Sequence, residues 1–186
     1  QHMNSIELEI GASAEEALAY INAAPPPRGA NMADVPLEKL DSVRFGFIGL
    51  GARGFGQLKC ALAVEGVRVT AVCDFAEDKL TRARDFIEGA GYPLPAMERD
   101  WRRLCARDDI DLMVICSPWD MHVPQAIYAM ECGKHVGLEV PAAQTLADCW
   151  LLVDTSEHTR RHCIMLENCC YGNSEMMALN MVRAGL

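Results

Sequence analysis

The sequence predicts an α/β fold built on a doubly wound parallel sheet. Two observations support this class: from Val43 onward short apolar runs alternate with longer amphipathic stretches, and a glycine-rich turn joins the first run to the first stretch. Such alternation is typical of repeated βαβ units, in which the amphipathic stretches are helices. Right-handed crossovers then predict the strand order 3-2-1-4-5-6, with ligands at the carboxyl ends of the strands.

The chain divides into two regions that differ in their pattern of apolar residues. Residues 1–42 are predicted to be a leader and linker, and residues 43–186 the sheet domain. Ser13 and Glu16 match a capping box, which predicts a short helix over residues 13–22. The proline run at residues 25–27 ends that helix, and the rest of the leader is predicted to be extended.

The sheet domain is predicted to hold six strands and six helices. The strands, rich in β-branched and other apolar residues, are predicted at residues 43–48, 67–73, 96–98, 112–116, 135–138 and 163–166, the third being the weakest. The helices are predicted at residues 54–64, 77–90, 100–106, 123–132, 146–159 and 174–184.

Composition argues against two classes of partner. The 186 residues carry a formal net charge of −9, and an acidic surface forfeits the counterion release that drives binding to nucleic acid. No apolar run reaches the roughly 18 residues that a membrane-spanning helix needs. We therefore expect neither nucleic acid nor a membrane as a partner.

The nine cysteines predict free thiols rather than a metal site or a disulfide framework. Their number is odd, and no two have the spacing of a Cys-x-x-Cys pair. Cys73, Cys116 and Cys163 fall within apolar runs, where cysteine behaves as a small hydrophobic residue. The pattern favours a reducing compartment such as the cytoplasm, and no metal is predicted.

The turn after the first strand has the G-x-G-x-x-G pattern of a dinucleotide-binding loop. Gly49 permits the tight turn, Gly51 lets the backbone approach a pyrophosphate, and Gly54 lets helix and strand pack closely. The free amides at the start of the helix bind the anion. Arg53 is placed either along the pyrophosphate or in solvent at the start of the helix.

The residue after the second strand completes this motif. Asp74 lies twenty residues beyond Gly54, where a carboxylate accepts hydrogen bonds from ribose hydroxyls and repels a 2'-phosphate. The predicted cofactor is therefore NAD rather than NADP. The alternative is a glycine-rich turn beside an unrelated acid at a strand end.

Two further strand ends carry a family resemblance. The fourth strand leads into Trp119-Asp120-Met121-His122, and the fifth into Glu139-Val140-Pro141. This layout resembles the Gfo/Idh/MocA family of nicotinamide-dependent oxidoreductases, whose Glu-Lys-Pro motif supplies a lysine to the substrate. Here Val140 replaces the lysine, and valine can neither transfer a proton nor polarise a hydroxyl.

With the downstream segment Glu167-Asn168-Cys169-Cys170-Tyr171, the chain resembles one branch of that family, the glycoside hydrolase 109 group of α-N-acetylgalactosaminidases. The resemblance runs over residues 43–186 and implies a Rossmann-type fold and a tightly held NAD used catalytically in a net hydrolysis. Besides the three glycines, the cofactor contacts that it implies are Ala52, Arg53, Asp74, Trp119, Asp120, Met121, His122, Glu139, Val140 and Asn168.

Each of these side chains also has a structural alternative. Trp119 is then a cover for the helix that follows Pro118, and Asp120 an ordinary helix-start acid. His122 is then a polar cap or a hydrogen-bond partner, and Glu139 pairs with a buried donor. Asn168 is then a residue that forms a turn.

The resemblance implies an enzyme that acts on a small-molecule glycoside. Tyr171 is the candidate general base for the elimination that the NAD-dependent route requires, its alternative being a packing residue near the nicotinamide. The family's substrate domain is expected to be absent from this chain, which alone is expected to be inactive; a homo-oligomer through that domain is compatible with the resemblance. The resemblance also implies export to the periplasm or beyond.

Two other functions compete with the glycosidase. One is an NAD-dependent sugar dehydrogenase of the same family, in which a residue elsewhere replaces the missing lysine. The other is a non-catalytic dinucleotide-binding module.

Overall fold

The computed structural model describes residues 31–33, 35–170 and 172–186. They form a six-stranded, all-parallel sheet with the order β3-β2-β1-β4-β5-β6, which confirms the predicted fold class and strand order. The strands are β1 Val43–Ile48, β2 Val67–Cys73, β3 Ala96–Glu98, β4 Leu112–Ile115, β5 His135–Glu139 and β6 Cys163–Leu166. The predicted helix over residues 13–22 lies outside the described residues, as does Tyr171.

The helices of the described chain are α1 Ala52–Leu62, α2 Glu77–Gly89, α3 Trp101–Cys105, α4 Trp119–Glu131, α5 Leu146–Thr159 and α6 Asn173–Arg183. The prediction that α4 begins at Val123 is wrong by one turn. Pro118 has extended backbone at the N-cap, and Trp119 already opens the helix, with Asp120 in its first turn. Residues 119–122, which precede the predicted helix, therefore form its first turn. The other strand and helix ends differ from the predicted ones by at most two residues.

Alternate residues of the central strands build two separate cores. Phe47 of β1 and Val72 of β2 pack with α1 and α2 on one face, whereas Ile48 and Cys73 pack with α3, α4 and α5 on the other. Successive side chains of a strand point to opposite faces, so strands buried on both faces must be apolar throughout. This is why the buried carboxyl-terminal halves of β1 and β2 are apolar without interruption.

The first and third glycines of the loop fix how closely the β1–α1 turn packs on β4. Gly49 has φ of +88°, and a Cβ there would lie 2.6 Å from the carbonyl oxygen of Cys116. A Cβ on Gly54 would overlap the carbonyl oxygen of Gly49. Both positions therefore require glycine for packing, before any ligand is considered.

An ion pair joins β1 to the residue before β4, at the amino ends of these strands and away from the glycine loop. Arg44 donates from its backbone N–H and from Nε to Asp111 Oδ2, at 2.8 and 3.0 Å, and its Nη2 lies 2.5 Å from Oδ1. These hydrogen bonds from the guanidinium lower the pKa of Asp111, although partial burial opposes the shift. The carboxylate thus contributes to stability only while it is ionised.

Helix α6 stands apart from both cores. None of its residues is buried, and Met177 and Val182 are among several exposed apolar side chains on it. No helix in the described ranges is long and apolar enough to cross a membrane.

We expect Gly54→Ala to destabilise the fold and Gly56→Ala to stabilise it. A methyl at position 54 displaces the Gly49 carbonyl and costs roughly 1–3 kcal/mol, whereas one at position 56 on the same helix meets no atom within 4 Å and raises stability by about 0.5–1 kcal/mol. Urea unfolding of the two variants measures the difference. Equal effects at both positions would contradict the packing role of Gly54.

We expect Asp111→Asn to lower the free energy of unfolding by about 1 kcal/mol at pH 7. Because the pKa of Asp111 is depressed in the folded chain, its contribution is present above the unfolded value of about 4 and is lost as pH falls through the folded value. The difference between variant and parent should therefore shrink below about pH 4. Asp108→Asn, at an exposed neighbouring acid, is the control and should change little.

Candidate functional site

A groove of about 520 Å³ lies across the carboxyl ends of β1, β2 and β4. In an open parallel sheet this is where the strand order reverses and where ligands bind. Six of the predicted site residues line it: Gly49, Gly51, Ala52, Arg53, Asp74 and Met121. The other predicted residues do not line it, and among the described ones these are Gly54, Trp119, Asp120, His122, Glu139, Val140 and Asn168.

The start of α1 suits the diphosphate of a dinucleotide. Gly51 is the N-cap and offers no capping side chain, and no acid lies in the first turn of the helix. A Cβ built on Gly51 meets no protein atom within 4 Å, unlike one on Gly49 or Gly54. Packing therefore does not require the second glycine, and the open space over it leaves the first-turn amides accessible to an anion.

Asp74 joins the glycine loop to the end of β2. It is only 6% exposed; Oδ2 accepts from the backbone N–H of Leu50 at 2.7 Å, and Oδ1 accepts from that of Ala76 at 3.0 Å. A carboxylate has about four lone-pair sites, so acceptor capacity remains for a ribose. Its first role is structural, because the Leu50 amide belongs to the loop that approaches the diphosphate.

Arg53 connects two other predicted site residues. Its Nε donates to Glu139 Oε1 at 2.8 Å, and its Nη2 donates to Asn168 Oδ1. Gln57, one turn further along α1, donates to the same Glu139 oxygen at 2.7 Å. The buried Glu139 carboxylate thus has two donors on Oε1, whereas Oε2 has only a 3.4 Å contact with the Val140 N–H. The loops after β1, β5 and β6 are linked through this network.

The first turn of α4 separates residues that the sequence grouped together. Trp119 is 60% exposed and Asp120 is also exposed, whereas His122 is almost fully buried. His122 Nδ1 lies 2.8 Å from the carbonyl oxygen of Pro141, and Nε2 lies 2.9 Å from that of Ser117. Both ring nitrogens thus lie within hydrogen-bond distance of a backbone carbonyl oxygen, one in each loop. His122 therefore bridges the loops after β4 and β5.

Thiols near the groove are poor nucleophiles. Burial, together with the smaller effects of the charges of Asp74 and Glu139 respectively, raises the pKa of Cys73 and of Cys116 to about 12. Both thiols stay protonated at neutral pH, and the thiolate is the reactive form. All nine cysteines are free, and the described residues contain no cluster of His, Cys, Asp or Glu able to hold a metal.

A second cavity, of about 450 Å³, lies at the amino edge of the sheet and is lined in part by His135 and His162. The C-termini of helices α4 and α5 lie at this edge and carry the partial negative charge of the helix dipole. The basic residues that line the cavity complement that charge. The buried Lys134 ammonium, for example, donates to the carbonyl of Arg107 just beyond α3. Burial and the charge of Arg161 lower the pKa of His135, whose Nδ1 accepts from the His162 backbone N–H. This edge is structural.

Several polar side chains at or near the site were not predicted, among them Gln57, Arg82 and Gln125, and the groove-lining Lys79, Arg99 and Ser117. Gln57 and Gln125 are a turn or less away from Arg53 and His122 on their helices, so helical spacing was the available signal. Arg82 of α2 donates to the Leu50 carbonyl at 2.6 Å, across a sequence separation that no local pattern reveals.

Comparison with known proteins places this site in a family. Residues 43–167 match the model of the Gfo/Idh/MocA oxidoreductase family, NAD-binding Rossmann fold. A glycosyl hydrolase family 109 protein of Streptomyces filamentosus is 49% identical over 183 residues, which are 95% of this chain and 37% of that protein. An alpha-N-acetylgalactosaminidase of Bacteroides fragilis is 50% identical over 150 residues, 79% of this chain and 35% of that protein. The chain thus spans little more than a third of these relatives.

Solved structures share the fold at low identity. The WlbA dehydrogenase of Chromobacterium violaceum, in complex with NADH and UDP-GlcNAcA, superposes with a TM-score of 0.70 at 19% identity, over 81% of this chain and 42% of that one. Myo-inositol 2-dehydrogenase of Lactobacillus plantarum superposes with a TM-score of 0.71 at 20% identity, over 77% and 42%. The chain belongs to the Gfo/Idh/MocA oxidoreductase family, and residues 43–167 are its NAD-binding Rossmann domain.

Proposed function

We propose that this chain is the NAD-binding part of a glycoside hydrolase that cleaves α-N-acetylgalactosaminides without net oxidation. The observation that carries the proposal is Val140, which stands where the resemblance implies the family's lysine, in a chain that keeps the glycine loop and Asp74 of the dinucleotide groove. The half-identical relatives include an alpha-N-acetylgalactosaminidase. Asp74 is the one carboxylate among the described residues that line the groove, so these residues offer no pair for direct displacement at a glycosidic bond.

Bound NAD would supply reversible hydride removal from a sugar carbon, which acidifies the neighbouring C–H and allows elimination of the aglycone, addition of water and return of the hydride. The residues of this chain bind and orient. Amides at the start of α1 would hold the diphosphate, Asp74 would accept from the adenosine ribose, and the second oxygen of Glu139 would be available to a hydroxyl of the ligand. Tyr171 remains the proposed general base.

The absence of a lysine also bears on how the cofactor is retained. A dehydrogenase must release NADH after each turnover unless a second substrate reoxidises it in place, whereas a redox-neutral hydrolase regenerates NAD within its own reaction. The Arg53–Glu139–Asn168 network ties three loops together around the groove and supports retention. We further propose that the sugar is held mainly by the two-thirds of the relatives that this chain does not match, so that the chain alone binds NAD without hydrolysing substrate.

The dehydrogenase alternative differs in a measurable product. It requires a group elsewhere to replace the lysine, and it releases NADH in step with product. The non-catalytic module, by contrast, predicts a change in affinity between NAD and NADH that no sugar alters.

We expect Gly51→Val to abolish measurable NAD binding while changing the free energy of unfolding by no more than about 1 kcal/mol. The valine side chain enters the space that the diphosphate needs, and no protein atom occupies that space. Calorimetry with NAD and NADP on the 186-residue chain measures this, with NAD expected to bind more tightly to the parent because Asp74 opposes a 2'-phosphate. Gly56→Ala is the control and should bind normally; tighter binding of NADP would contradict the role of Asp74.

We expect a longer protein that contains this chain to hydrolyse an α-N-acetylgalactosaminide with NAD retained throughout. Elimination removes the proton at C2 of the sugar, so product formed in deuterium oxide should carry deuterium there, as mass spectrometry and NMR would show. Direct displacement leaves that proton in place.

Three results would contradict this mechanism: hydrolysis without exchange, full activity after removal of NAD, or NADH accumulating in step with product. Val140→Lys in the same longer protein is the control for the missing lysine. It should not create rapid NADH release with simple sugars, because the other residues are arranged for a hydride that returns.

A further inference from the structure

Gln125 has an unused hydrogen-bond donor in the groove. Gln125 belongs to α4 and is only 3% exposed, and it lines the same groove as Gly51 and Asp74. The Ser117 hydroxyl donates to its Oε1 at 2.6 Å, which fixes the amide so that Nε2 carries the N–H groups away from Ser117. Within the described ranges, Nε2 donates to no acceptor. Nε2 is not among the fully buried polar atoms that lack a partner, so it is reachable from the groove and available to an acceptor on a ligand.

The neighbours of Gln125 identify which half of a dinucleotide it faces. Phe75, Arg99 and Trp101 line the same groove, all on the side of the β2 and β3 strand ends, beyond Asp74. Glu139 and Asn168, which belong to the opposite end of the site, do not line it. A dinucleotide with its diphosphate at α1 and its ribose at Asp74 therefore places its adenine in the part of the groove that Gln125 shares.

The walls of this part suit a purine. The Phe75 ring is largely exposed, its backbone carbonyl accepts from Arg99 Nη2 at 3.0 Å, and Lys79 lies 5.7 Å from the ring centroid. Pro118 and Met121 supply apolar surface on the α4 side. Stacking surface alone does not distinguish one base from another. A side-chain amide adds a directional contact, because adenine presents ring nitrogens that accept hydrogen bonds.

We propose that Gln125 reads the adenine of the bound dinucleotide by donating from Nε2 to one of its ring nitrogens, with Ser117 holding the amide in that orientation. The proposal rests on dinucleotide binding in this groove. It adds a contact to the base, which the glycine loop and Asp74 do not provide because they address phosphate and ribose. Gln125 is thus a binding residue for the base, whereas His122 on the same face of α4 positions loops.

The test combines atomic changes in the ligand with changes in the protein. Calorimetry on the 186-residue chain would compare ADP with its 1-deaza, 3-deaza and 7-deaza analogues, each of which replaces one ring nitrogen by C–H. We expect one analogue to bind the parent roughly three- to tenfold more weakly than ADP, the loss expected for one neutral hydrogen bond. In Gln125→Met, ADP should weaken by a similar factor, and the same analogue should then bind as well as ADP.

Two further variants separate this contact from general damage. Gln125→Glu still accepts from Ser117 but has no N–H to donate, so it should weaken ADP binding at least as much as Gln125→Met. Gln144→Met removes an exposed glutamine that does not line the groove and should bind ADP and all analogues as the parent does. Thermal unfolding without ligand shows whether each variant is folded.

Equal affinity of the parent for ADP and all three analogues would overturn the proposal for Gln125 and leave dinucleotide binding intact. This arm needs no variant and does not depend on whether Gln125→Met folds. Persistence of the analogue's loss in a folded Gln125→Met would also overturn it, because another residue would then make the contact. If ADP and NAD both fail to bind the parent, the placement of the dinucleotide in this groove fails as well.

Discussion

The close approach of the β1–α1 turn to β4 is the constraint on which the site depends. Gly54 packs on the Gly49 carbonyl and Gly49 on the backbone of Cys116, so α1 begins directly over the centre of the sheet. Asp74 then fixes the loop from the β2 side through the Leu50 amide, and Arg82 does so through the Leu50 carbonyl. These contacts leave Gly51 as the one loop glycine facing open space. Packing and ligand binding thus use different glycines of the same motif.

Charges at the site are mostly neutralised within the protein. Glu139 is buried between Arg53 and Gln57, and Asp74 is held by two backbone amides. Such fixed and compensated groups orient a cofactor at little reorganisation cost, which suits an enzyme whose redox chemistry belongs to the cofactor. The high pKa of the neighbouring thiols removes them as competing nucleophiles. The protein part of the site is accordingly one that binds and orients.

Local sequence patterns were sufficient for the fold. Short runs dominated by apolar and β-branched residues are separated by helices of ordinary length, so β1, β2, β3 and β6 have the bounds that were predicted. Helix starts were less certain, because several residues satisfy the same capping rules. The start of α4 was predicted at Val123, yet Pro118 at the N-cap allows the helix to begin at Trp119. This shift of one turn buries His122 and leaves Trp119 exposed.

The sequence by itself determined the doubly wound fold, the glycine loop and the acid after β2, because each is encoded by residues within a single βαβ unit. It also pointed to Arg53, Glu139 and Asn168 one by one. Only the tertiary structure decided that these three form one network with Gln57, that His122 bridges two loops, and that Gln125 faces the groove with a free donor. The physical reason is that such side chains are matched across separations of up to 115 residues, where partners are set by sheet order and helix orientation rather than by local pattern.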